Sequence, residues 1–300
     1  MTPRAVPSLA DLPAPAAGRT GWPWTTATVP GAGAMPDAQA WPLIMIVTPS
    51  LNQGEFLEQT IRSVLLQGYP AVEYLVIDGG STDATVGIIR KYEPWLTGWI
   101  SEPDRGQSHA INKGFAAGCG DVCSWLNADD LLLPGALRTI ALLSRRSPAA
   151  VAWVGACQRV SADGTLISVV EPRGLTRGGM ADGSGEGHFY QPACFVATPA
   201  AAKAGPLDEH LHFAFDLDWW LRLSAQGPFA ATNQVLAAAT IHNRAKTQTH
   251  RLEMHAEIIA VQVRHGFTGL AARKLGALMQ SAARSAVAAS AQQASRLPRE

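Results

Sequence analysis

Charge is scarce in this sequence, and its two signs cancel. Charged residues make up 16% of 300, with 24 Lys and Arg against 24 Asp and Glu. A chain with no basic excess lacks the electrostatic footprint of a dedicated nucleic-acid binder. Cysteine is scarce as well. Cys119, Cys123, Cys157 and Cys194 are too few and too scattered for a disulfide framework, and no second Cys/His pair accompanies Cys119 and Cys123 at zinc spacing. They read as reduced, packed thiols. Long apolar runs are missing: the longest candidate, 131–143, is broken by Pro134, Gly135 and Arg138, well short of the roughly 18 residues of a membrane span. The N-terminus lacks the basic region, apolar core and cleavage site of a signal peptide. Neither G-x-x-x-x-G-K-[ST] nor a G-x-G-x-x-G turn after the first apolar run is present, which disfavours ATP hydrolysis and dinucleotide binding. These absences lead to the expectation of a soluble, cytoplasmic protein. What is abundant is apolar surface: 47% of residues are hydrophobic, enough for a sizeable core.

Composition divides the chain. Residues 1–41 carry seven prolines, with an eighth at Pro42, and only four charged side chains. No apolar period survives those prolines, so this stretch reads as a flexible tail, which Trp22, Trp24 and Trp41 would pin in places. Residues 248–300 read as a helical extension. Its end is Ala-rich, with Arg273, Lys274, Arg284, Arg296 and Arg299 against Glu300, a bias that suits a solvated helix or a peripheral contact with a membrane surface.

Between these ends, strands and helices alternate. Residues 43–48 form a continuous apolar run, as for a strand buried on both faces, and Leu57, Ile61, Val64 and Leu65 then repeat at helical spacing. Further strands are expected at 74–77, 98–101 and 122–126, with helices ending near Tyr92 and spanning about 107–117. Three βαβ units in a row call for an α/β fold with an open, mainly parallel sheet flanked by helices. The second half reads as mixed.

Ligands of such sheets bind outside the carboxyl ends of the strands. Three polar clusters fall at those ends: Pro49-Ser50-Leu51-Asn52, Asp78-Gly79-Gly80-Ser81-Thr82-Asp83 and Asn127-Ala128-Asp129-Asp130. One cluster is an ordinary turn; three at one edge suggest a single site. Gly79 and Gly80 permit close backbone approach to a ligand, and Asp78 suits a base N–H or a ribose hydroxyl. Asp129 and Asp130 repel one another unless a divalent cation and a diphosphate offset the cost.

The run IVTPSLNQGEFLEQTIRSVLLQGYPAVEYLVIDGGSTDATVGIIRKY, followed by SEPDRGQSHAINKGFAAGCGDVCSWLNADDLLLPGAL, resembles the nucleotide-sugar-binding half of the family 2 glycosyltransferases. The likeness is strong over 43–138 and weaker to 247. It implies the GT-A fold, with a nucleotide-sugar half at 42–155 and an acceptor and catalytic half at 156–247. It also implies donor-site roles for Pro49, Ser50, Asn52, Asp78 and Gly80. Asn127, Asp129 and Asp130 match the metal and diphosphate motif, with Asn in its first place. On that match Asp130 is expected to touch Mg²⁺ or Mn²⁺ and Asp129 the sugar or ribose. Asp104 and Lys113 lie in a stretch where the family places donor contacts.

FAFDLDWWLRL is similar to the family segment that carries the catalytic base, an acidic residue six positions before an arginine. Asp216 stands six before Arg222 and is the first candidate, with Asp218 the second. An inverting transfer needs one carboxylate to take the acceptor hydroxyl's proton. Trp219 is a candidate for stacking on a sugar face, and Gln191, near the start of an expected strand at 188–198, belongs to the acceptor side. Six glycines between Gly174 and Gly187 fit a mobile lid. TIHNRAKT resembles a family segment in which His242 falls on a histidine that reaches metal or diphosphate. Thr240 stands where that segment has arginine, so Arg244 or Lys246 would have to substitute.

The expected activity is thus transfer of a sugar, UDP-linked first of all, to a hydroxyl of a glycan or lipid-linked acceptor in cell-surface polysaccharide synthesis. Without a Gln-x-x-Arg-Trp signature or membrane spans, single additions are favoured over polymerisation. Two rivals remain: a degenerate transferase that only holds a nucleotide sugar, kept alive by Asn127 and Thr240, and a sugar-nucleotide pyrophosphorylase, disfavoured because no Gly-rich basic loop follows the first strand.

Overall fold

A computed structural model of the chain describes residues 6–28, 35, 39–182, 189–242 and 250–294. The first half is a regular α/β alternation: β1 (Ile44–Ser50), α1 (Leu57–Leu65), β2 (Val72–Asp78), α2 (Thr85–Tyr92), β3 (Gly98–Ser101), α3 (Gln107–Ala117) and β4 (Val122–Trp125). These strands pair in parallel in the order β3-β2-β1-β4. The chain therefore leaves β1 toward β2 and β3, then crosses back to place β4 on the other side. That reversal opens a crevice at the carboxyl ends of β1 and β4.

The apolar run of β1 is buried throughout, as both faces of the sheet are covered. One core packs Ile44 and Ile46 against Leu57, Ile61 and Val64 of α1 and Ile89 of α2. The other sets Met45 and Val47 against Ala110 and Ile111 of α3. Pro49 is tolerated inside this central strand for a local reason. The Val47 carbonyl accepts from Leu126 on the β4 side, and the Ser50 carbonyl accepts from Gly79 on the β2 side. Alternate residues face alternate neighbours, so Pro49 faces β4, whose pairing with β1 ends at Val47. No donor is needed there.

The second half contains β5 (Leu131–Leu132), α4 (Ala136–Arg146), β6 (Ala152–Ser161), β7 (Leu166–Val170), α5 (Arg177–Asp182), β8 (Cys194–Ala197), α6 (Thr198–Ala204), α7 (Phe215–Ser224) and β9 (Phe229–Ile241). The sheet continues β4-β8-β6-β9-β5, with β7 on β6. β8 is antiparallel to both neighbours, whereas β9 runs parallel to β6 and antiparallel to β5. The sheet is thus parallel in its first half and mixed in its second.

Three expectations change. Residues 6–28 are not loose: Leu12 and Trp24 are buried, and the buried Arg62 guanidinium of α1 donates to the carbonyls of Pro13, Pro23 and Trp24. Prolines forbid a helix there, but an extended segment can still satisfy a buried cation. In the expected lid, residues 177–182 form α5, with Met180 and Ala181 buried and the Ala181 carbonyl accepting from Gln262; residues 183–187 lie outside the described part. Finally, α8 (Arg251–Arg264) is integrated into the body, not appended to it. Val261 and Gln262 are fully buried, and α9 (Thr268–Ala294) packs on α8. Among the described residues, no helix is long and apolar enough to cross a membrane.

Candidate active site

The carboxyl ends of β1 and β2 are stitched together before any ligand arrives. Asn52 sits at φ 52°, and its side-chain oxygen accepts from Thr82 N–H at 2.9 Å while its own N–H donates to Ser81 Oγ at 2.7 Å. Asp78 is fully buried. Its carboxylate accepts from the N–H groups of Gly80 and Ser81 and from the hydroxyls of Ser81 and Ser101. Asn52 and Asp78, expected at the donor, therefore hold the turns that shape its site. The open capacity lies beside them: the Ser50 hydroxyl, at the end of β1, is buried without a hydrogen-bond partner.

Gly79 and Gly80 let the β3–α3 loop close over this edge. A Cβ at Gly79 would stand 2.8 Å from the Asp104 carboxylate. Gly80 has φ +88°, and a Cβ there would press on Pro103 at 3.2 Å. Asp104 thereby leans over the end of β2, anchored by Gly106 N–H donating to its Oδ1 at 2.8 Å. Lys113 is not brought to the crevice in the same way: its ammonium pairs with Glu102 at 2.7 Å.

The loop after β4 separates its two carboxylates. Asp130 is buried, its oxygens accepting from Thr240 N–H at 3.1 Å and Asn127 Nδ2 at 3.0 Å. Burial first, and the neighbouring charge of Asp129 second, push its carboxyl well above the usual range. Asp129 instead stays partly open, and its Oδ2 lies 3.0 Å from His242 Nε2. Thr240 supplies the geometry: its hydroxyl donates to the Asp129 carbonyl while its N–H holds Asp130. Each Asp130 oxygen accepts one hydrogen bond from within the fold, and the group that faces His242 is Asp129.

The 3.0 Å between Asp129 Oδ2 and His242 Nε2 is hydrogen-bond distance, and it sets one carboxylate oxygen beside one imidazole nitrogen. A carboxylate oxygen is a suitable ligand for Mg²⁺ or Mn²⁺, whereas an imidazole nitrogen favours transition metals, so the pair would hold Mn²⁺ more readily than Mg²⁺. Among the described residues no cluster of three His, Cys, Asp or Glu side chains surrounds the place, so the remaining positions would fall to diphosphate oxygens and water. Arg244 and Lys246 lie outside the described residues.

Beyond β4, the aromatic residues of α7 pack under the crevice. Trp125, the last residue of β4, stacks on Trp220 at 5.5 Å and touches Phe215 at 6.2 Å. The next residue is Asp216, in the first turn of α7, where Leu217 N–H donates to Oδ1 at 2.7 Å. Burial, with a smaller push from Glu257, raises its carboxyl to about 6. Two acceptor-side expectations fail here. Trp219 is buried in the aromatic core and donates from Nε1 to the Gly205 carbonyl. Asp218 is buried in an ion network, accepting from Arg222 Nε at 2.9 Å and contacting His265 Nε2 at 2.9 Å and Arg264 at 3.3 Å. Helical spacing turns both away from Asp216 and into the body. Gln191 donates from Nε2 to the Trp125 carbonyl at 2.7 Å, and its Oε1 is buried without a partner. It opens a 3₁₀ turn, so the strand expected over 188–198 narrows to Cys194–Ala197, and His188 lies outside the described residues.

Several contributors carry no sequence signal, or a faint one. Gln107, the first residue of α3, donates to Asn127 Oδ1 at 2.7 Å. The Phe56 ring stacks on His242 at 4.9 Å. Glu257 of α8 accepts the N–H groups of His212, Phe213 and Ala214, satisfying donors that lead into α7. Nothing in the sequence marks Glu257. Gln107 was visible only as the residue after the Asp104-Arg105-Gly106 turn.

The model of glycosyl transferase family 2 matches residues 45–203, just over half of the chain. The chain belongs to this family. A glycosyltransferase of Mycobacterium tuberculosis, itself uncharacterised, is 30% identical over 185 residues, covering 60% of this chain and 68% of that protein. Chondroitin synthase of Escherichia coli is 26% identical over 226 residues, 72% of this chain but 31% of the synthase. Among solved structures, S. aureus TarS 1-349 in complex with UDP-GlcNAc superposes with a TM-score of 0.57 at 14% identity, over 74% of this chain and 66% of that one. A mannosyltransferase from Pyrobaculum calidifontis, solved with GDP-Man and Mn²⁺, gives 0.55 at 18% identity, over 87% and 83%. The family 2 glycosyltransferase described here therefore has the GT-A fold, and a putative teichuronic acid biosynthesis glycosyltransferase of Bacillus subtilis is 34% identical to it over 92 residues, 30% of this chain and 36% of that protein.

Proposed function

We propose that this family 2 glycosyltransferase moves a sugar, with inversion, from a nucleoside diphosphate sugar to a hydroxyl of a glycan or lipid-linked acceptor. The carrying observation is the Asp129–His242 pair at 3.0 Å in the loop that follows β4, with the unpartnered Ser50 hydroxyl at the end of the neighbouring β1. UDP is the first candidate nucleotide, since the TarS structure holds UDP-GlcNAc; the mannosyltransferase, with GDP-Man, makes GDP the alternative.

Asp129 and His242 would hold Mg²⁺ or Mn²⁺, which when bound neutralises the charge on the departing diphosphate. Ser50, the Gly79-Gly80 turn and Asp104 line the nucleoside end, while Asn52 and Asp78 keep that end in shape. Asp216 takes the proton of the acceptor hydroxyl as its oxygen bonds to the anomeric carbon. The bond from that carbon to phosphate breaks, and its electron pair leaves with the nucleoside diphosphate. A carboxyl raised to about 6 is a stronger base than an ordinary aspartate and still ionised at neutral pH. Gln191, with its free Oε1, is the acceptor-side hydrogen-bonding group.

The test is calorimetric titration with UDP, GDP, dTDP and CDP, each with and without Mn²⁺, on the wild type and Asp129→Ala. Metal-dependent binding of one diphosphate, lost in the variant, is expected. Binding that ignores both metal and substitution would overturn the assignment.

A further inference from the structure

The family match begins at residue 45, yet part of what holds the acidic loop lies before it. Nearly every carbonyl from 127 to 133 is taken by a group outside the loop's own strand pairing. Asn127 accepts from Asp130 N–H within the turn. Thr60 Oγ1, fully buried on α1, lies 2.8 Å from both the Ala128 and Asp130 carbonyls, and its single proton bridges them. Asp129 accepts from the Thr240 hydroxyl. Leu132 accepts from Trp22 Nε1 at 2.9 Å, and Leu133 from Gln67 Nε2 at 3.0 Å. Ser63 Oγ receives Leu132 N–H at 3.2 Å. Thr60 and Ser63 of α1, with Gln67 just past its end, thus make a polar stripe, and the loop lies on it.

Trp22 is fixed in turn by the way its segment is tied down. The chain on either side of it is bound through Pro13, Pro23 and Trp24 to the buried Arg62 guanidinium, which lies between Thr60 and Ser63 along α1. Arg62 also lies over the Trp24 ring at 5.5 Å and donates to Tyr92 OH at 3.0 Å. Thr28 N–H reaches the Leu66 carbonyl at the end of α1 at 3.1 Å. One helix therefore grips the N-terminal segment with one side chain and the acidic loop with the next.

We infer that Thr60 and Trp22 are positioning residues: α1 and the N-terminal segment together clamp the backbone of residues 128–133 and so set the aim of Asp129 toward His242. Neither touches the donor. A carboxylate that must meet a cation together with an imidazole tolerates little wander, and losing a group that orients a ligand typically costs about tenfold or more in metal affinity. The inference rests on the reading of Asp129 and His242 as the cation end, and its test separates the two.

Full-length wild type, Thr60→Val, Thr60→Ser and Trp22→Phe are titrated with UDP at increasing Mn²⁺ (or with whichever diphosphate the wild type binds). Hydrogen exchange of the amides of 127–133 is followed without ligand. Thr60→Val keeps the shape and removes the hydroxyl; Trp22→Phe keeps an aromatic ring and removes the N–H. Both are expected to raise the Mn²⁺ requirement about tenfold and to speed exchange in this loop, with little change at saturating metal. Thr60→Ser is expected to restore wild-type behaviour. Loop exchange and Mn²⁺ dependence that stay at wild-type values in both variants would overturn the clamp, as would a serine variant as impaired as the valine one. Faster loop exchange with unchanged Mn²⁺ dependence would overturn the link from clamp to cation. A wild type that binds no diphosphate overturns the reading of the site itself, and the exchange data then judge the clamp separately.

Discussion

Two adjacent carboxylates meet opposite fates because the chain turns between them. Asp130 goes inward, where Asn127 and Thr240 supply two donors; Asp129 goes to the rim, toward His242. The same contrast separates Asp216 from Asp218, two positions apart on α7, one accepting from Leu217 N–H in the first turn, the other locked against Arg222 and His265. Asp216 carries a pH signature. Its carboxyl is raised from 3.8 to about 6, so between those values the folded protein holds a proton that the unfolded chain releases. This group's contribution to stability therefore falls as pH rises through that window, whereas a catalytic base gains activity as pH passes about 6. The expected result is a kcat/KM limb near pH 6 in the wild type. Asp216→Asn should lose roughly 10²–10⁴ in kcat while donor binding, measured calorimetrically, is kept. A variant with wild-type turnover would show that another group takes the proton.

At the level of elements, α7 is held in place by the helix that follows β9. Glu257 satisfies the N–H groups leading into α7, and Arg264 and His265 converge on Asp218 from the far end of α8. The segment that reads as an appended extension is thus a buttress for the helix bearing the proposed base. Asp218→Ala would leave Arg222 and His265 facing a buried vacancy, and breaking such a buried pair costs about 3 kcal/mol or more. Urea unfolding should show that loss, with donor binding kept at temperatures well below the unfolding midpoint. Equal stability in the variant would mean the network contributes nothing. α9 stands differently: Leu275 and Met279 are exposed on it.

For the molecule as a whole, the sequence is most readable where structure is local. The helix expected from Leu57 to Leu65 is α1, and the strand expected at 98–101 is β3, since each rests on the period of its own residues. The three polar clusters do meet at one sheet edge. What could not be read are choices made by distant partners: Asp130 turned inward because Thr240 arrives 110 positions later, and residues 6–28 packed because Arg62 needs carbonyls. Trp219 looked like a sugar platform and is core, because aromatic residues signal burial and ligand stacking with the same letters. One consequence concerns the extent of the foldable unit. A chain ended at residue 203, where the family match stops, lacks β9, α7 and α8, and so exposes β5 and β6 edges and leaves the proposed site without Asp216 and His242. It should be insoluble or show no cooperative unfolding by circular dichroism; a sharp transition would contradict this.

The pairing of β5 with β9 also has a meaning in time. Leu131 meets Ala238, and β4 meets β8 across more than 70 positions. While the chain is being made, the ribosome must release some hundred residues after Asp129 before the strand that carries Thr240, with His242 just after it, can reach it. For that interval, about 5–20 seconds at 5–20 residues per second, β5 waits without the strand it pairs with. The mixed sheet that completes the site last is therefore also what leaves the nascent protein longest in need of a chaperone.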